Sequence, residues 1–467
     1  MNITSTTIAA VSTPRGKGGV AMIRMSGPSA LSVASAMFLP RSGKELSSLP
    51  ARRAVFGTIL DSRDEPVDEG IAVCYRAPAS FTGEDAAEIT CHGGPAATEA
   101  VLLSAVAHGA SLAGPGEFTR RAFLNGKLSL TEAEAVGRLI DADTSERLAL
   151  SAGGLSGNVS REIRAVYDGM LSTMTALYAA IDYPEEDVGD EGEREIGSTL
   201  SRSLAAVERL LSTYRTGKAV ADGVRTVICG RPNVGKSSLF NRLTGEDSAI
   251  VTAEAGTTRD ILRETVSFGG VTLRLADTAG LRESGGTVEQ IGIGRARREI
   301  REAELVLAVF DGSEPLTEED GELLDLLSSL GPQIPKIAVV NKVDRGTVLT
   351  SEELAKIDAA AERRRIPVSA EKEEGISDLS RAVGEIYASG SVDLRRDAVI
   401  WDARQRQALE HARSALAAAS EAAGRGDPID CICTLAEEAM AALDETDGRS
   451  VDSAIVDEIF KRFCVGK

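Results

Sequence analysis

Eight consecutive residues, Gly230-Arg231-Pro232-Asn233-Val234-Gly235-Lys236-Ser237, have the types and spacing needed to hold a polyphosphate. Gly230 and Gly235 let the backbone turn so that the N–H groups from Asn233 through Ser238 face phosphate oxygens. Lys236 adds charge at the β/γ-phosphates, and Ser237 offers a hydroxyl to magnesium. The apolar run 226–229 before the loop and the helical pattern after it direct a helix's positive end at the anion. About 40 residues beyond the lysine comes Asp277-Thr278-Ala279-Gly280, which follows an expected strand at 273–276. Its carboxylate is placed to hold magnesium through water, and its glycine N–H to sense a γ-phosphate. Asn341-Lys342-Val343-Asp344 follows the run 337–340. The Asp344 carboxylate can accept both N–H groups of a guanine edge, a pattern adenine does not present. Ser369-Ala370, after 366–368, supports the base through backbone.

These four motifs, in this order, resemble those of the GTPase superfamily in its translation-factor-like branch. Between the first two lies Gly256-Thr257-Thr258-Arg259-Asp260. Thr258 is the natural switch threonine for magnesium, and its neighbour Thr257 is the alternative. Leu281 stands where Ras-like proteins carry a water-orienting Gln, and leucine has neither donor nor acceptor. Hydrolysis therefore needs another route, and Glu283 and Glu289 in the stretch that follows are both candidates. Asn233 is the second unusual feature: its amide oxygen can help hold a monovalent cation where an arginine finger otherwise places charge.

The elements that must position these residues are read from periodicity and composition. At 467 residues the chain calls for roughly three domains, and its apolar fraction of 43% can bury several cores. Residues 1 to about 120 read as mixed α/β, with strands at 8–11, 20–25, 56–60, 71–75 and 88–91 and a helix at 98–108. Helical periodicity then covers 128–142 and, as one run, 148–180. The acidic stretch from Pro184 through Glu191 is expected to be loop, with helix resuming at 198–214. From 225 to about 386 strands and helices alternate, the signature of a mostly parallel sheet. Ala-rich helices at 402–423 and 429–440 follow. Helical flanks on both sides suggest a nucleotide domain inserted into a helical one. The tail Phe463-Cys464-Val465-Gly466-Lys467 shows no packing anchor beyond Phe463, so a ligand carboxylate or an acidic side chain is its simplest expected holder.

The net charge of −19 lacks the basic excess of a protein that grips RNA alone through phosphates, so any nucleic-acid role calls for a basic partner or a local patch. Six cysteines without CxxC spacing and three histidines argue against a zinc site or a disulfide framework and for reduced thiols in a cytoplasm. The first residues lack a secretory pattern, and no run of apolar residues is long enough to span a membrane.

The whole chain resembles one family, the tRNA-modifying GTPases called MnmE or TrmE. Four stretches carry the resemblance. The first is Ile8-Ala9-Ala10 through Gly18-Gly19-Val20 with Ile23-Arg24-Met25-Ser26-Gly27-Pro28; the second is Ser80-Phe81-Thr82-Gly83-Glu84-Asp85 with His92-Gly93-Gly94-Pro95. The third runs from Pro115-Gly116-Glu117-Phe118 to Leu124-Asn125-Gly126-Lys127, and the fourth is the tail. The resemblance implies a multidomain α/β plus α protein. Residues 1–118 form an N-terminal α/β domain that dimerises and binds a one-carbon tetrahydrofolate (5-formyl- or methylene-). Residues 119–216 and 387–467 form a discontinuous helical domain around an inserted Ras-like P-loop GTPase domain, 217–386. It further implies a homodimer working with the flavin- and NADH-dependent protein MnmG (GidA). Together they add an aminomethyl or carboxymethylaminomethyl group to C5 of the wobble uridine of certain tRNAs, with potassium-dependent GTP hydrolysis driving dimerisation of the GTPase domains. By position, Arg24, Glu84, Lys127 and Lys467 match folate-site residues. Asn233, Thr252, Glu254 and Thr257 match potassium ligands, Ser237 and Thr258 magnesium ligands, and Glu289 the catalytic glutamate. Cys464 occupies the tail cysteine, a candidate thiolate for the modification chemistry. The rival readings are a ribosome-assembly GTPase of the Era/Der type and a non-catalytic GTP-regulated scaffold.

Overall fold

The computed structural model describes residues 6–182, 189–245, 263–277, 299–387, 392–448 and 453–466. The chain divides into two compact units, one of residues 1–137 with 441–467 and one of residues 138–440.

The first unit is built on strands β1 (Ile8–Val11), β2 (Ala21–Ser26), β3 (Phe38–Pro40), β4 (Val55–Leu60), β5 (Pro66–Tyr75), β6 (Ala86–Cys91) and β7 (Ser111–Leu112). They form one sheet in the order β3-β4-β5-β6-β2-β1-β7. Only β1–β7 is a parallel pair. Alternation along the strands turns Ile23, Met25, Ala72 and Ile89 to one face, where they pack with Val33 and Val101 of helices α1 (Ala30–Ala36) and α2 (Pro95–Ala107). Pro95 opens α2, where a missing N–H costs nothing. The same alternation sends Arg24 and Glu88 to the other face, directly opposite one another in the β2–β6 register. Helix α3 (Glu117–Leu124) lies against β1 through Phe118, which packs with Ile8, Ala10 and Ala113. Helix α4 (Leu130–Ile140) follows.

The second unit begins with helices α5 (Ser145–Leu155), α6 (Asn158–Asp182) and α7 (Gly189–Ala221). The periodic run expected over 148–180 is thus two helices, separated at Gly157, whose φ of +72° ends the first. Expected loop also differs from observed helix at Asp190 and Glu191. Helix α7 starts at Gly189, and carboxylates in a first turn are favoured by the unpaired N–H groups there. Residues 184–187 lie outside the described residues.

The sheet of this unit comprises β8 (Val224–Cys229), β9 (Arg263–Phe268), β10 (Val271–Asp277), β11 (Leu305–Asp311), β12 (Lys336–Asn341) and β13 (Arg365–Pro367), in the order β13-β12-β11-β8-β10-β9. Every pair but β9–β10 is parallel. β11 and β12 are buried along their full length, which is why residues 305–310 and 337–340 are apolar without alternation, with Asp311, Lys336 and Asn341 at the strand ends. Helices α8 (Lys236–Leu243), α9 (Glu318–Ser329), α10 (Ser351–Ala360) and α11 (Ile376–Tyr387) belong to the same alternation, and α12 (Ala403–Arg425) and α13 (Ile429–Asp447) follow.

The last helix, α14 (Ser453–Lys461), returns to the first unit, where Val456 and Phe460 pack on Leu130 and Ala133. The tail beyond it is anchored past Phe463, contrary to expectation. Val465 bridges Pro115. The Gly116 N–H donates to the Cys464 carbonyl at 3.3 Å, and the Ser12 hydroxyl to the Gly466 carbonyl at 3.0 Å. Gly466 has a φ of +96°, and a Cβ there would meet the Val11 carbonyl at 2.3 Å. The described tail is therefore held by main-chain groups and a neutral hydroxyl, which its side-chain pattern does not report. Lys467 lies outside the described residues.

Gly116, the N-cap of α3, tests how firmly this segment presses on the helix. Its φ is +63°, and a Cβ would lie 2.6 Å from the Phe460 carbonyl. Gly116→Ala should destabilise α3 by roughly 2–5 kcal/mol, combining backbone strain and overpacking. Gly126→Ala, at a φ of +68° with open space, should cost about 1 kcal/mol from the backbone alone. Native-state hydrogen exchange of the α3 amides reads the difference. Equal losses would show that the segment exerts no pressure there.

Candidate functional site

The phosphate loop joins β8 to α8. Its conformation requires three left-handed residues: Gly230 at φ +154°, Asn233 at +64° and Gly235 at +100°. Gly230 and Gly235 are also forced by contact, since a Cβ would fall 2.4 Å from the Val309 carbonyl in one case and 2.1 Å from the Asn341 amide nitrogen in the other. Gly235 is the N-cap of α8 and supplies no side-chain acceptor to that helix's first N–H groups, a cradle suited to an anion. The Lys236 ammonium crosses the loop to the Arg231 carbonyl at 2.8 Å.

Asn341, at the end of β12 and 3% exposed, ties this loop to the segment that follows β13. Its amide nitrogen donates to the Val234 carbonyl at 2.8 Å, and its oxygen accepts from the Ala370 N–H at 3.0 Å. Lys342, itself left-handed at φ +63°, donates to the Asn233 carbonyl at 2.7 Å and to Asp311 at 2.6 Å. Burial pushes the Asp311 carboxyl up, but Lys342 and two hydrogen bonds from Ser313 together hold it below its ordinary value. A hydrogen bond from Ser369 is the chief cause that lowers the Asp344 carboxyl pKa below its ordinary value. The result is one cleft of about 310 Å3, lined by Asn233, Gly235, Lys236, Ser237, Asn341 and Asp344, with Ser238, Lys342, Ser369 and Ala370 on its wall. Val234 is fully buried beneath it.

A second cleft, of about 140 Å3, lies in the first unit on the sheet face away from α1 and α2. Arg24 pairs with Glu88 through two nitrogens at 2.8 and 2.9 Å, and Tyr75 donates to the other Glu88 oxygen at 3.1 Å. Burial, then the Glu88 charge, pushes the Tyr75 hydroxyl pKa upward. The Arg24 guanidinium sits 5.7 and 5.9 Å from the rings of Phe81 and Phe118.

The residues singled out from sequence are thus partly gathered. At the second cleft, Arg24 lines the wall, but Glu84 does not: its carboxylate accepts from Ser26 at 2.7 Å and from Arg121 at 3.2 Å. The carboxylate that faces this cleft is Glu88, which sequence reasoning missed. Its pairing with Arg24 depends on a strand register that one sequence does not disclose. Lys127 donates to the Pro78 carbonyl at 3.2 Å, and Cys464 is exposed. In the nucleotide unit, Asp277 closes β10 in register with Ile228. Thr252, Glu254, Thr257, Thr258, Thr278, Ala279, Gly280, Glu283 and Glu289 lie outside the described residues. Arg231 was also missed as an anchor. It bridges Glu314 at 2.6 Å and Asp320 at 3.1 Å, fastening the phosphate loop to the capping box of α9.

Comparison with known proteins covers the chain almost from end to end. The family described as the N-terminus of the GTP-binding protein TrmE matches residues 7–127, and the MnmE helical domain matches residues 130–464. A tRNA modification GTPase MnmE from Moorella thermoacetica is 41% identical over 466 residues, 99% of each chain. Those of Heliobacterium modesticaldum and Geobacillus kaustophilus are 40% and 39% identical, again over 99% of each chain. Among solved structures, Era of Aquifex aeolicus bound to GDP·AlF4− matches 41% of this chain and 66% of its own, at 25% identity and a TM-score of 0.28.

The Asn341 geometry generates a prediction. Asn341→Ala leaves the Val234 carbonyl and the Ala370 N–H without partners and unfastens the two loops. Affinity for a fluorescent guanine nucleotide should fall roughly 10- to 100-fold, the cost of one to two buried hydrogen bonds. Retention within twofold would mean the loops hold their positions without the clasp.

Proposed function

The chain belongs to the MnmE family of tRNA-modification GTPases, and on that premise we propose that it hydrolyses GTP to drive modification of C5 of the wobble uridine in certain tRNAs. The observation that carries the nucleotide half is the Asn341 clasp, which places a phosphate cradle and the Asp344 carboxylate on one cleft. In this reading Gly235 and the start of α8 receive the phosphates, Lys236 turns from the Arg231 carbonyl to them, and Asp344 and the 369–370 backbone read guanine. Ser237 and Thr258 are the chain's ligands for Mg2+. Asn233, Thr252, Glu254 and Thr257 are its ligands for K+, and Glu289 orients the attacking water. The two cations, when bound, neutralise charge developing on the phosphate oxygens.

For the modification half, we assign a one-carbon tetrahydrofolate to the second cleft. Its fit rests on an aromatic pair, Phe81 and Phe118, suited to a flat heterocycle, beside Glu88, which can accept from an amino-bearing edge. Arg24 fixes that carboxylate, and Glu88 takes the position first given to Glu84. The same face of the sheet leaves Phe56 and Ile71, paired in register, 45% and 42% exposed. Such an apolar pair supports a homodimer in which a second copy covers it. The flavin- and NADH-dependent partner MnmG belongs to the proposal as well, and supplies the basic surface that a chain of net charge −19 lacks.

Two measurements test this reading. GTP turnover should be about 100-fold or more faster in KCl than in NaCl at equal ionic strength, and Glu289→Ala should remove most of it while leaving GTP affinity within a few fold. Equal rates in the two salts, or a larger loss from Glu283→Ala, would sink the cation and glutamate assignments respectively. Calorimetry with 5-formyltetrahydrofolate should show Arg24→Ala and Glu88→Gln each weakening binding by about 1–3 kcal/mol, with GTP turnover unchanged. Mass spectrometry of tRNA from a deletion strain should show unmodified wobble uridine; normal modification there would overturn the tRNA assignment.

A further inference from the structure

A net charge of −19 disfavours RNA over most of the chain, yet exposed cations gather at one end of the first unit's sheet. There β3 stops at Pro40, β4 starts at Val55 and β5 stops at Tyr75. The segment between β3 and β4 is fixed to that end by its main chain. The Arg41 N–H donates to the Phe56 carbonyl at 3.2 Å, and the Arg52 N–H to the Cys74 carbonyl at 2.7 Å. Leu46, 1% exposed, plugs the middle of the segment into the core, and the Ser47 N–H donates to the Ser35 hydroxyl at 2.9 Å. Lys44, Arg52 and Arg53 are exposed on this fixed backbone. Arg76, also exposed, joins them by donating to the Ser47 carbonyl at 2.7 Å. Arg41 is committed to Glu69 at 3.0 Å and to the Phe56 ring at 4.8 Å. Among the described residues, Lys44, Arg52, Arg53 and Arg76 form no ion pair. The one acid within the segment, Glu45, engages the Ser47 hydroxyl, and beyond it Asp85 accepts from the Ala77 N–H at 2.8 Å.

We propose that Lys44, Arg52, Arg53 and Arg76 form a docking surface for the phosphate backbone of the RNA substrate. The proposal rests on the reading of the chain as a tRNA-modification protein. Because salt screens charge beyond about 8 Å, a compact cluster can attract phosphates although the chain as a whole is acidic. Three observations favour RNA over an acidic protein segment. No large apolar side chain is exposed between residues 42 and 54. A protein partner draws its affinity from apolar and aromatic anchors, whereas phosphate contacts need none. Three of the four cations are arginines, whose planar fork matches phosphate oxygens. The backbone of Arg52 is left-handed, at a φ of +61°, a conformation that glycine takes more readily, so what arginine contributes there is its side chain. The position also suits a substrate. Ser26, Tyr75 and Ala86 line the second cleft, and they end β2, end β5 and begin β6 at this same end of the sheet. RNA docked on the cluster is thereby held beside the cleft assigned to the one-carbon donor.

The test is fluorescence anisotropy of a labelled tRNA transcript with an unmodified wobble uridine, titrated with the full chain between about 50 and 200 mM salt. The variant Arg52→Gly/Arg53→Ala/Arg76→Ala removes three charges, and glycine suits the backbone at 52. Its affinity should fall roughly tenfold or more at the low-salt end, and the slope of log affinity against log salt should shrink by about three, one per cation. Arg52→Gly alone should shrink the slope by about one, and it serves if the triple variant does not fold. The control is Arg15→Ala/Lys17→Ala, an exposed pair between β1 and β2 at the opposite end of the sheet, which should stay within about twofold of wild type. GTP turnover and 5-formyltetrahydrofolate binding should be unchanged in every variant. An unchanged affinity and slope in the cluster variants, or an equal loss from the control pair, overturns the proposal. Equal competition by polyglutamate overturns it as well and assigns the surface to an acidic protein segment. If wild type binds no tRNA while a deletion strain loses its wobble modification, the docking surface falls and the tRNA reading stands. Normal modification in that strain removes both.

Discussion

The side-chain amide of Asn341 offers donors on one side and an acceptor on the other, and the nucleotide unit uses both ends internally. One holds the phosphate loop by the Val234 carbonyl, and the other holds the base loop by the Ala370 N–H. A carboxylate at this position could not donate, and an alkyl group could do neither. The constraint extends to the neighbours. Gly235 has to lack a side chain because the amide nitrogen occupies the space a Cβ would need, and the left-handed Lys342 reaches Asn233 only because β12 ends where it does. Arg231 fastens the opposite side of the loop to α9. The loop is thus defined by contacts from three strand ends and a helix cap, and its glycines are the places where those contacts leave no room.

The first unit follows a different logic. Its interior admits a wholly buried arginine, Arg121, and what makes that tolerable is the set of acceptors around its two terminal nitrogens: two carboxylates, a carbonyl and a hydroxyl share them, while Nε has no partner among the described residues. Charge in that position costs desolvation that apolar packing of similar volume would avoid.

How much of this could be read from the sequence depends on whether the information is local. The nucleotide motifs were legible because each is a short string whose glycines, lysine and carboxylates act within a few residues of one another. The apolar run 337–340 of β12 was legible as a strand of a mostly parallel sheet for the same reason. Glu88 was not, since its pairing with Arg24 depends on a register between two strands that are far apart in sequence. The anchoring of the tail by Pro115 and Ser12 was hidden likewise, because main-chain partners leave no mark on residue type. The break at Gly157 and the early start of α7 were missed where helical periodicity and acidic composition were given more weight than a left-handed glycine and the preference of a helix start for carboxylates.

The meeting of Ser12 with Gly466 joins residues 454 positions apart. During synthesis at the usual rate of about 5–20 residues per second, roughly 20–90 seconds separate the emergence of the two. Throughout that interval the sheet of the first unit can form, but Gly116, Leu130 and Ala133 lack the Phe460 side of their packing. The intervening residues 138–440 form a unit that can fold while the first one waits. Packing of the first unit is therefore completed only after residues 138–440 have been made. A ribosome that stops short of α14 releases a chain whose nucleotide unit is whole but whose first unit still shows an apolar surface, the kind of feature by which quality control distinguishes unfinished chains from finished ones.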